Sequence, residues 1–410
     1  MQWKSFVALG RLPNFFGYML AVLMLGLALS FAAPYLSLFG ADEVGMSPLA
    51  LGLFMTCTSV SSIVISTRLG RWSDRRASRR PLVLLAIVAA GVGYLLFSVT
   101  RNYLLLLVIS SVFLGTGAAA FPQLFALARA QIGSGTLGDQ ASALLRSVFS
   151  LAWVGGPGIG ALLLAGGGFR GLYLGTAACF AVAAVPVLLA RVGQTPQAGG
   201  RAEPVMLEGA PPARPVWLVA LSFVLYGTSM SMGAISLPIH VTHALHGTTA
   251  NVGFLVGLCA LAEIPIMLAF VLFPRRVQNE RLIVLGFGLF VLYFVLVYVA
   301  PGMGLLIVAQ LVRAVVIGIA ACLGMAYFQD LMPGRFGAAT TLFANTTNAG
   351  SMLAGLITGV VAQAFGYHAV FLVCAVLSIT SWGLLLAVRR GFNVQPKQAA
   401  QLFRRRSRGT

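Results

Sequence analysis

Ionisable side chains inside long apolar runs are the first candidates for chemistry in this sequence. Glu263 is the only carboxylate well inside such a run, LCALAEIPIM, and Arg313 lies in another, one helical turn after Gln310. A charge in membrane hydrocarbon is costly, so such residues usually have a function. We expect Glu263 to bind and release a proton and Arg313 to take part in the coupling. A structural Glu263, permanently paired or permanently neutral, is the alternative.

Polar side chains at helical spacing are the second set of candidates. Two sets recur at intervals of four, three and four residues, which places each set on one face of a helix. They are Arg146, Ser150, Trp153 and Pro157, and Thr341, Asn345, Asn348 and Met352. Guanidinium and carboxamide groups hydrogen-bond to hydroxyl groups, and an indole stacks on the C–H face of a sugar ring. The candidate substrate-binding residues are Arg146, Trp153, Asn345 and Asn348, with Gln123 and Tyr226 as weaker members. An arginine that reaches the membrane interface and hydrogen bonds between helices are the alternatives.

The composition indicates that lipid surrounds these residues. The chain of 410 residues is 59% hydrophobic and 9% charged, whereas soluble domains carry roughly 25% charged residues. A spanning helix needs about 20 mainly apolar residues. The segments that qualify are 15–40, 48–69, 81–100, 103–129, 139–165, 169–192, 215–240, 248–273, 281–300, 303–330, 336–364 and 367–389.

The longest connection, 193–214, is rich in Pro, Gly and Ala and divides the chain near its middle. We interpret it as a flexible linker. The sequence therefore predicts an all-α polytopic membrane protein with a six-helix bundle at 1–192, a second bundle at 215–390 and a basic tail at 391–410.

The net charge of +18 is concentrated in a few segments. Arginines cluster between 68 and 80 and between 404 and 408, whereas only Arg101 and Arg170 lie in the loops that alternate with these. Lys and Arg accumulate in the cytoplasmic loops of membrane proteins. We therefore expect both termini and the linker to be cytoplasmic, and we expect no nucleic-acid partner.

Several other classes of function lack their motifs here. The five cysteines are scattered through apolar runs without a CxxC pair, which does not favour disulfides or a metal site. The histidines His240, His243 and His246 are interpreted as part of a solvated loop. Phosphate-binding loops, zinc-protease helices and nucleophile elbows are absent from the sequence. We expect no enzyme activity, no cofactor and no metal, and we expect a monomer.

The loop after the second segment carries a motif. Its residues, GRWSDRRASRR from Gly70 to Arg80, resemble the G-x-x-x-D-R-x-G-R-R signature of the major facilitator superfamily, although Ser78 replaces the second glycine. The resemblance implies a major facilitator fold of two pseudo-symmetric bundles. It also implies a charge latch that gates one side, formed by Gly70, Asp74, Arg75 and Arg79. The alternative is that the arginines only set topology. Residues 155–160, GGPGIG, resemble the G-P-x-x-G element of antiporters in this superfamily.

Longer stretches resemble the bacterial sugar efflux transporter family. They are 33–39, 122–129, 150–154, 263–265, 328–335 and 337–343. The resemblance covers both halves and implies export of sugars or small glycosides, of the lactose and glucose type, across the bacterial inner membrane. It further implies proton antiport and access that alternates between the two sides. A multidrug/proton antiporter of the same superfamily is the alternative. The ordinary aromatic content of 10% and the polar helix faces favour the sugar.

Overall fold

The computed structural model describes residues 14–74, 78–132, 136–190, 215–272 and 278–406, and these are almost wholly helical, without a strand. The apolar residues of each run satisfy their backbone hydrogen bonds within one helix, as a bilayer requires. The first four helices are α1 Phe15–Glu43, α2 Pro48–Asp74, α3 Arg80–Val99 and α4 Tyr103–Ile132. A long helix, Thr136–Leu189, follows. The remaining ones are α7 Val216–Ala244, α8 Thr249–Leu272, α9 Asn279–Val299, α10 Met303–Leu331 and the long helix Phe336–Arg406.

Each of the two long helices is a pair of helices that reverses at one glycine. Gly168 has φ 60° and ψ −165°, and Gly366 has φ 81° and ψ 165°, conformations open essentially to glycine alone. Each pair has an apolar stretch of 53 residues, which at 1.5 Å per residue is roughly 80 Å and far exceeds one bilayer crossing. We name the members α5 (136–167), α6 (169–189), α11 (336–365) and α12 (367–406).

The described part of the chain thus has ten apolar helices, two of them double, which gives twelve spans. The predicted number of spans is confirmed. The bounds differ where polar residues extend a helix beyond its apolar run. The stretch from Gly70 to Asp74 is the last turn of α2 and not a loop, and α1 continues to Glu43. The linker 193–214 lies outside the described residues, and the division into bundles 1–192 and 215–390 stays a prediction.

Local sequence signals account for several helix starts. The side chain of Asn102 accepts a hydrogen bond from the backbone N–H of Leu105 at 3.1 Å and caps α4. Thr248 and Asn251 cap α8 reciprocally, since the Thr248 N–H donates to Asn251 Oδ1 at 2.8 Å and the Asn251 N–H donates to Thr248 Oγ1 at 3.3 Å. Such caps satisfy amide groups that have no partner inside the helix.

The chain forms two compact units, which are described separately. Unit 1 comprises Met1–Arg201, Ala234–Leu261 and Gly355–His368, and unit 2 comprises Ala202–Gly233, Ala262–Ala354 and Ala369–Thr410. Unit 1 therefore contains helix ends from the second half of the sequence: the end of α7, the start of α8 and the α11–α12 reversal. All contacts discussed below lie within one unit.

Aromatic rings fill the centre of each unit. In unit 1, the ring of Phe39 meets Tyr173 edge-on with centroids 4.9 Å apart, and Phe97 lies 5.5 Å from the same tyrosine. In unit 2, Phe223 contacts both Phe287 and Phe328 with centroids 5.0 Å apart. Edge-on aromatic pairs add specific geometry to dispersion contacts.

Small residues bring helix backbones together around these cores. In unit 1, a methyl group at Gly156 of α5 would overlap the side chain of Ser30 in α1, and one at Gly160 would lie 2.9 Å from the Phe31 carbonyl oxygen. The Ser30 hydroxyl donates to the Ala152 carbonyl at 3.1 Å across the same contact. The GGPGIG element thus packs α5 directly on α1.

Replacing Gly156 with alanine should destabilise unit 1, because its methyl group meets the Cβ of Ser30 at 2.7 Å. Overpacking of this kind costs about 1–3 kcal/mol. The matched control is Gly155→Ala in the same helix, since a methyl group there meets nothing within 4 Å. Thermal unfolding of the purified protein should show a lower Tm for Gly156→Ala than for Gly155→Ala. Equal values would contradict the close α1–α5 contact.

Candidate functional site

The substrate face predicted on α5 is open in unit 1. Arg146 and Ser150 are exposed, Trp153 is half-buried and Pro157 is buried. Neither Arg146 nor Trp153 has a hydrogen bond, ion pair or ring contact with another side chain in the described ranges. A guanidinium group and an indole on one helix face, both without a protein partner there, are available to a ligand.

The second predicted face lies on α11 in unit 2 and is also open. Asn345 is exposed and Asn348 is half-buried, and neither carboxamide has a hydrogen-bond partner among the described residues. Nearby hydroxyl groups are already bonded, as when Thr346 donates to the Phe343 carbonyl at 2.7 Å. Because a carboxamide has two donors and an acceptor, this face can bind several hydroxyl groups.

The two weaker candidates lie elsewhere. Tyr226 packs in the aromatic core of unit 2, stacked on Phe287 with centroids 4.8 Å apart. Gln123 is only 6% exposed. Its amide nitrogen would lie 3.9 Å from a methyl group at Gly70, so the structure brings Gln123 to the motif at the end of α2. Gln123 Oε1 is buried without a hydrogen-bond partner in the described structure.

The structure describes some of the predicted gate residues and not others. Gly70 belongs to the last turn of α2, which ends at Asp74, and Arg79 directly precedes α3. The side chain of Asp74 and the whole of Arg75 lie outside the described residues. The next arginine, Arg80, donates a hydrogen bond to the carbonyl of Leu188 at the end of α6. The latch itself stays a prediction.

The coupling candidates lie in unit 2 and differ in surroundings. Glu263 is half-buried on α8, two residues before Pro265. The guanidinium group of Arg313 lies 3.4 Å from Gln310 Oε1 and 5.9 Å from the ring centre of Tyr293. Gln310 is fully buried and its Oε1 accepts from Arg313, and the face of Tyr293 is a second favourable surface for the guanidinium group.

Three contacts in unit 1 join the two halves of the sequence, and the sequence analysis missed all three as contacts. The first is at Tyr35, which is fully buried where a short 3₁₀ turn interrupts α1. Its hydroxyl donates to the Pro157 carbonyl of α5 at 2.6 Å and lies 3.4 Å from the Thr249 carbonyl of α8. Methyl groups at Gly253 and Gly257 would lie 2.6 and 2.8 Å from carbonyl oxygens of α5, so α8 packs directly on the α5 backbone.

The second contact is a crossing of α2 with the C-terminal part of α11. A methyl group at Gly52 would lie 2.5 Å from the Gly355 carbonyl oxygen, and one at Gly355 would lie 2.5 Å from the Thr56 hydroxyl. One at Gly359 would lie 2.9 Å from the Pro48 carbonyl. The signal was present, since small residues four apart are typical of close helix contacts in membranes. Gly355 and Gly359 show this spacing, as do Gly253 and Gly257.

The third contact is an ion pair between helix ends. His243 Nε2, near the end of α7, lies 2.8 Å from Asp42 Oδ1 of α1. His240, one turn earlier, is 3% exposed and stacks on His368 with centroids 5.4 Å apart. The prediction of a solvated histidine loop is wrong for His240, which is buried. His243 is solvated as predicted, but it lies in the helical end of α7 and not in a loop. Among the described residues, groups of three metal-ligating side chains are absent.

Comparison with known proteins identifies this architecture. The family model described as Major Facilitator Superfamily matches residues 15–219 and 219–408. The chain belongs to the major facilitator superfamily. The structure resembles that of the nucleoside transporter NupG with a TM-score of 0.78 at 12% sequence identity, covering 92% of this chain and 98% of the other.

Relatives in sequence are named as transporters. The "Putative sugar efflux transporter" of Deinococcus radiodurans is 50% identical over 385 residues, covering 92% of this chain and 99% of the relative. "Sugar efflux transporter A" of Escherichia coli is 35% identical, covering 95% and 100%. The chain is thus a multi-pass membrane transporter of a bacterial branch of the major facilitator superfamily and not an enzyme.

The close contact between α2 and α11 can be tested by substituting one of its glycines. Gly355→Ala places a methyl group 2.7 Å from the Gly52 carbonyl oxygen, and overpacking of about 1–3 kcal/mol should favour separation of the two helices. Amide hydrogen exchange in the first turns of α2 and in the C-terminal turns of α11 should then accelerate about tenfold, since 1.4 kcal/mol is a factor of ten. Gly337→Ala is the control in the same helix, because a methyl group there meets nothing within 4 Å. Unchanged exchange in Gly355→Ala would contradict the crossing.

Proposed function

We propose that this transporter exports sugars or small glycosides of the lactose and glucose type, by proton antiport and alternating access. The observation that carries the substrate class is the pair of open polar faces, Arg146 with Trp153 and Asn345 with Asn348, which have no protein partners among the described residues. The names of the relatives support the same class. Carboxamides and a guanidinium group match neutral hydroxylated ligands, and an indole matches their apolar ring face.

The proposed cycle uses the contacts within unit 1 that join the two sequence halves. Those contacts consist of glycine crossings, one tyrosine hydroxyl and an exposed ion pair. Separating such surfaces leaves few polar side chains without a partner, chiefly the Tyr35 hydroxyl and the ion pair. The bundles 1–192 and 215–390 are proposed to rock about them, so that a site near the middle of the membrane faces each side in turn.

The proposed orientation places both termini, the linker 193–214 and the tail 391–410 in the cytoplasm of the bacterial inner membrane. The clustering of arginine supports this, since only Arg101, between α3 and α4, and Arg170, in the first turn of α6, lie at the opposite ends of the spans. The gate role of Gly70, Asp74, Arg75 and Arg79 remains part of the proposal on that cytoplasmic side. Reaction of a cysteine in 193–214 with an impermeant reagent in intact cells would overturn the orientation, and normal transport by Asp74→Asn would overturn the latch.

Vesicles test the substrate and the direction. Inverted vesicles energised with a proton gradient should accumulate labelled lactose or glucose, and an uncoupler should abolish the accumulation.

The substitution Asn348→Leu should weaken the apparent affinity for sugar about threefold to tenfold, because a neutral hydrogen bond contributes about 0.5–1.5 kcal/mol. Thr347→Val is the neighbouring control, since the Thr347 hydroxyl already donates to the Phe343 carbonyl at 3.4 Å. Transport of cationic drugs without sugar transport would favour the multidrug antiporter instead.

The coupling role of Glu263 has its own test. Glutamine keeps the shape of glutamate but cannot release a proton, and an ionised carboxylate in apolar surroundings is costly. Glu263→Gln should therefore still exchange sugar down its gradient while losing at least about tenfold of the accumulation driven by a pH gradient. The control is Glu280→Gln, at the start of α9. Full pH-driven accumulation by Glu263→Gln would make Glu263 structural and move the coupling site elsewhere.

A further inference from the structure

The ends of α1 and α7 have the same backbone irregularity. Helix α1 ends in a five-residue π turn, Phe39–Glu43, and α7 ends in a five-residue π turn, His240–Ala244. These are the first helices of the two sequence halves. Asp42 and His243 each occupy the fourth position of their turn. The ion pair at 2.8 Å thus joins equivalent positions of the two halves, with opposite charge on the two sides.

Asp42 and its neighbour Glu43 form ion pairs with different types of basic side chain. Glu43 Oε1 lies 2.9 Å from the guanidinium group of Arg101, which also donates to the carbonyls of Phe97 and Thr100. That pair stays inside the first half of the sequence, and an arginine keeps its charge at any ordinary pH. Asp42 instead pairs with the second half, through a histidine whose charge depends on protonation. The titratable contact is therefore the one that joins the two halves.

Solution protons have access to this pair. The side chains of His243 and Asp42 are 53% and 39% exposed. Other titratable groups surround it on the adjoining elements: Glu43 with Arg101, His240 stacked on His368, and Tyr367, whose phenol lies within electrostatic range of Asp42. His243 Nε2 lies 2.8 Å from Asp42 Oδ1, so a positive charge on His243 interacts directly with that carboxylate.

We propose that Asp42 and His243 form a pH-dependent latch, which holds the ends of α1 and α7 together when the aqueous phase they face is acidic. Because only a protonated imidazole carries a charge, the attraction between His243 and the Asp42 carboxylate is stronger in acid than in alkaline solution. Because the pair joins the halves, its strength changes the equilibrium between the closed and open ends. The latch rests on the alternating access proposed above and is independent of which substrate is carried.

The latch is tested by measuring the opening directly, without sugar. Nitroxide labels at Leu104→Cys, in the exposed first turn of α4, and at Ala244→Cys, at the end of α7, report the distance between the halves in lipid. The background has its five native cysteines replaced. Acidification from about pH 8.5 to about pH 5.5 spans the ordinary titration range of histidine. The ratio of short to long distances should rise about twofold to fivefold, the effect of an exposed ion pair.

Variants assign the response to the pair. Asp42→Asn and His243→Gln should each remove the pH dependence. His243→Lys should keep the short distance at both pH values, because lysine stays protonated across this range. The control is His246→Asn, which keeps a residue tolerant of the positive φ of 51° found there and should respond like the parent protein.

The outcomes separate the latch from the proposed function. A pH response that persists in His243→Gln, or two distance populations that ignore pH in the parent protein, would overturn the latch and leave alternating access standing. One fixed distance under all conditions would overturn both. A normal distance response in a protein that carries no sugar would support the latch and overturn only the proposed substrate.

Discussion

Close approach of helix backbones is the constraint on which the rest of this structure depends. Within a bilayer, an apolar side chain gains little by leaving lipid for protein, so helices associate through packing and hydrogen bonds. Packing of that kind requires surfaces without bulk. Gly156 against Ser30 and Gly52 against Gly355 provide such surfaces, and in each case a methyl group would enter a neighbouring side chain or carbonyl. The glycines at these crossings are thus required for close packing and are not a sign of flexibility.

The same constraint separates two kinds of contact in unit 1. The α1–α5 contact lies within one sequence half and combines glycine packing with the hydrogen bond from Ser30 to Ala152. The contacts that join the halves are similarly close, and their polar groups are chiefly the Tyr35 hydroxyl and the Asp42–His243 pair. A transporter needs contacts that form fully in one state and separate without a large penalty. Backbone contacts between glycines satisfy both requirements, because they leave no large side chain without a partner when they part.

Much of the fold could be predicted from the sequence because a spanning helix leaves a strong signal. Twelve apolar runs and the alternation of arginine-rich loops were sufficient for the number of spans. Helix ends were less predictable, since Asp42, Glu43 and Asp74 are polar and yet continue helices. The apolar pattern ends at the first polar residue, whereas the helix itself continues beyond that residue into the aqueous interface.

The residues of the candidate site also differ in how far the sequence could predict their surroundings. Arg146, Asn345 and Asn348 could be found because one polar face on an apolar helix is visible in helical spacing. Tyr226 and Gln123 could not be assigned, because their surroundings depend on neighbouring helices: Tyr226 stacks in an aromatic core and Gln123 packs beside Gly70. The contacts between sequence halves pair residues far apart in the chain, such as Asp42 with His243, which are 201 positions apart. One sequence shows the small residues of such contacts but not which helix each of them meets.

The reversals at Gly168 and Gly366 leave a single non-helical residue between α5 and α6 and between α11 and α12. Gly171 and Gly175 face Leu163 across the first reversal, so the second helix returns directly along the first. Each pair is therefore a helical hairpin that can enter the bilayer as one unit during biosynthesis, with its backbone hydrogen bonds already formed. A protease or an antibody at either reversal therefore meets two exposed helix ends joined by one non-helical residue and not an extended loop.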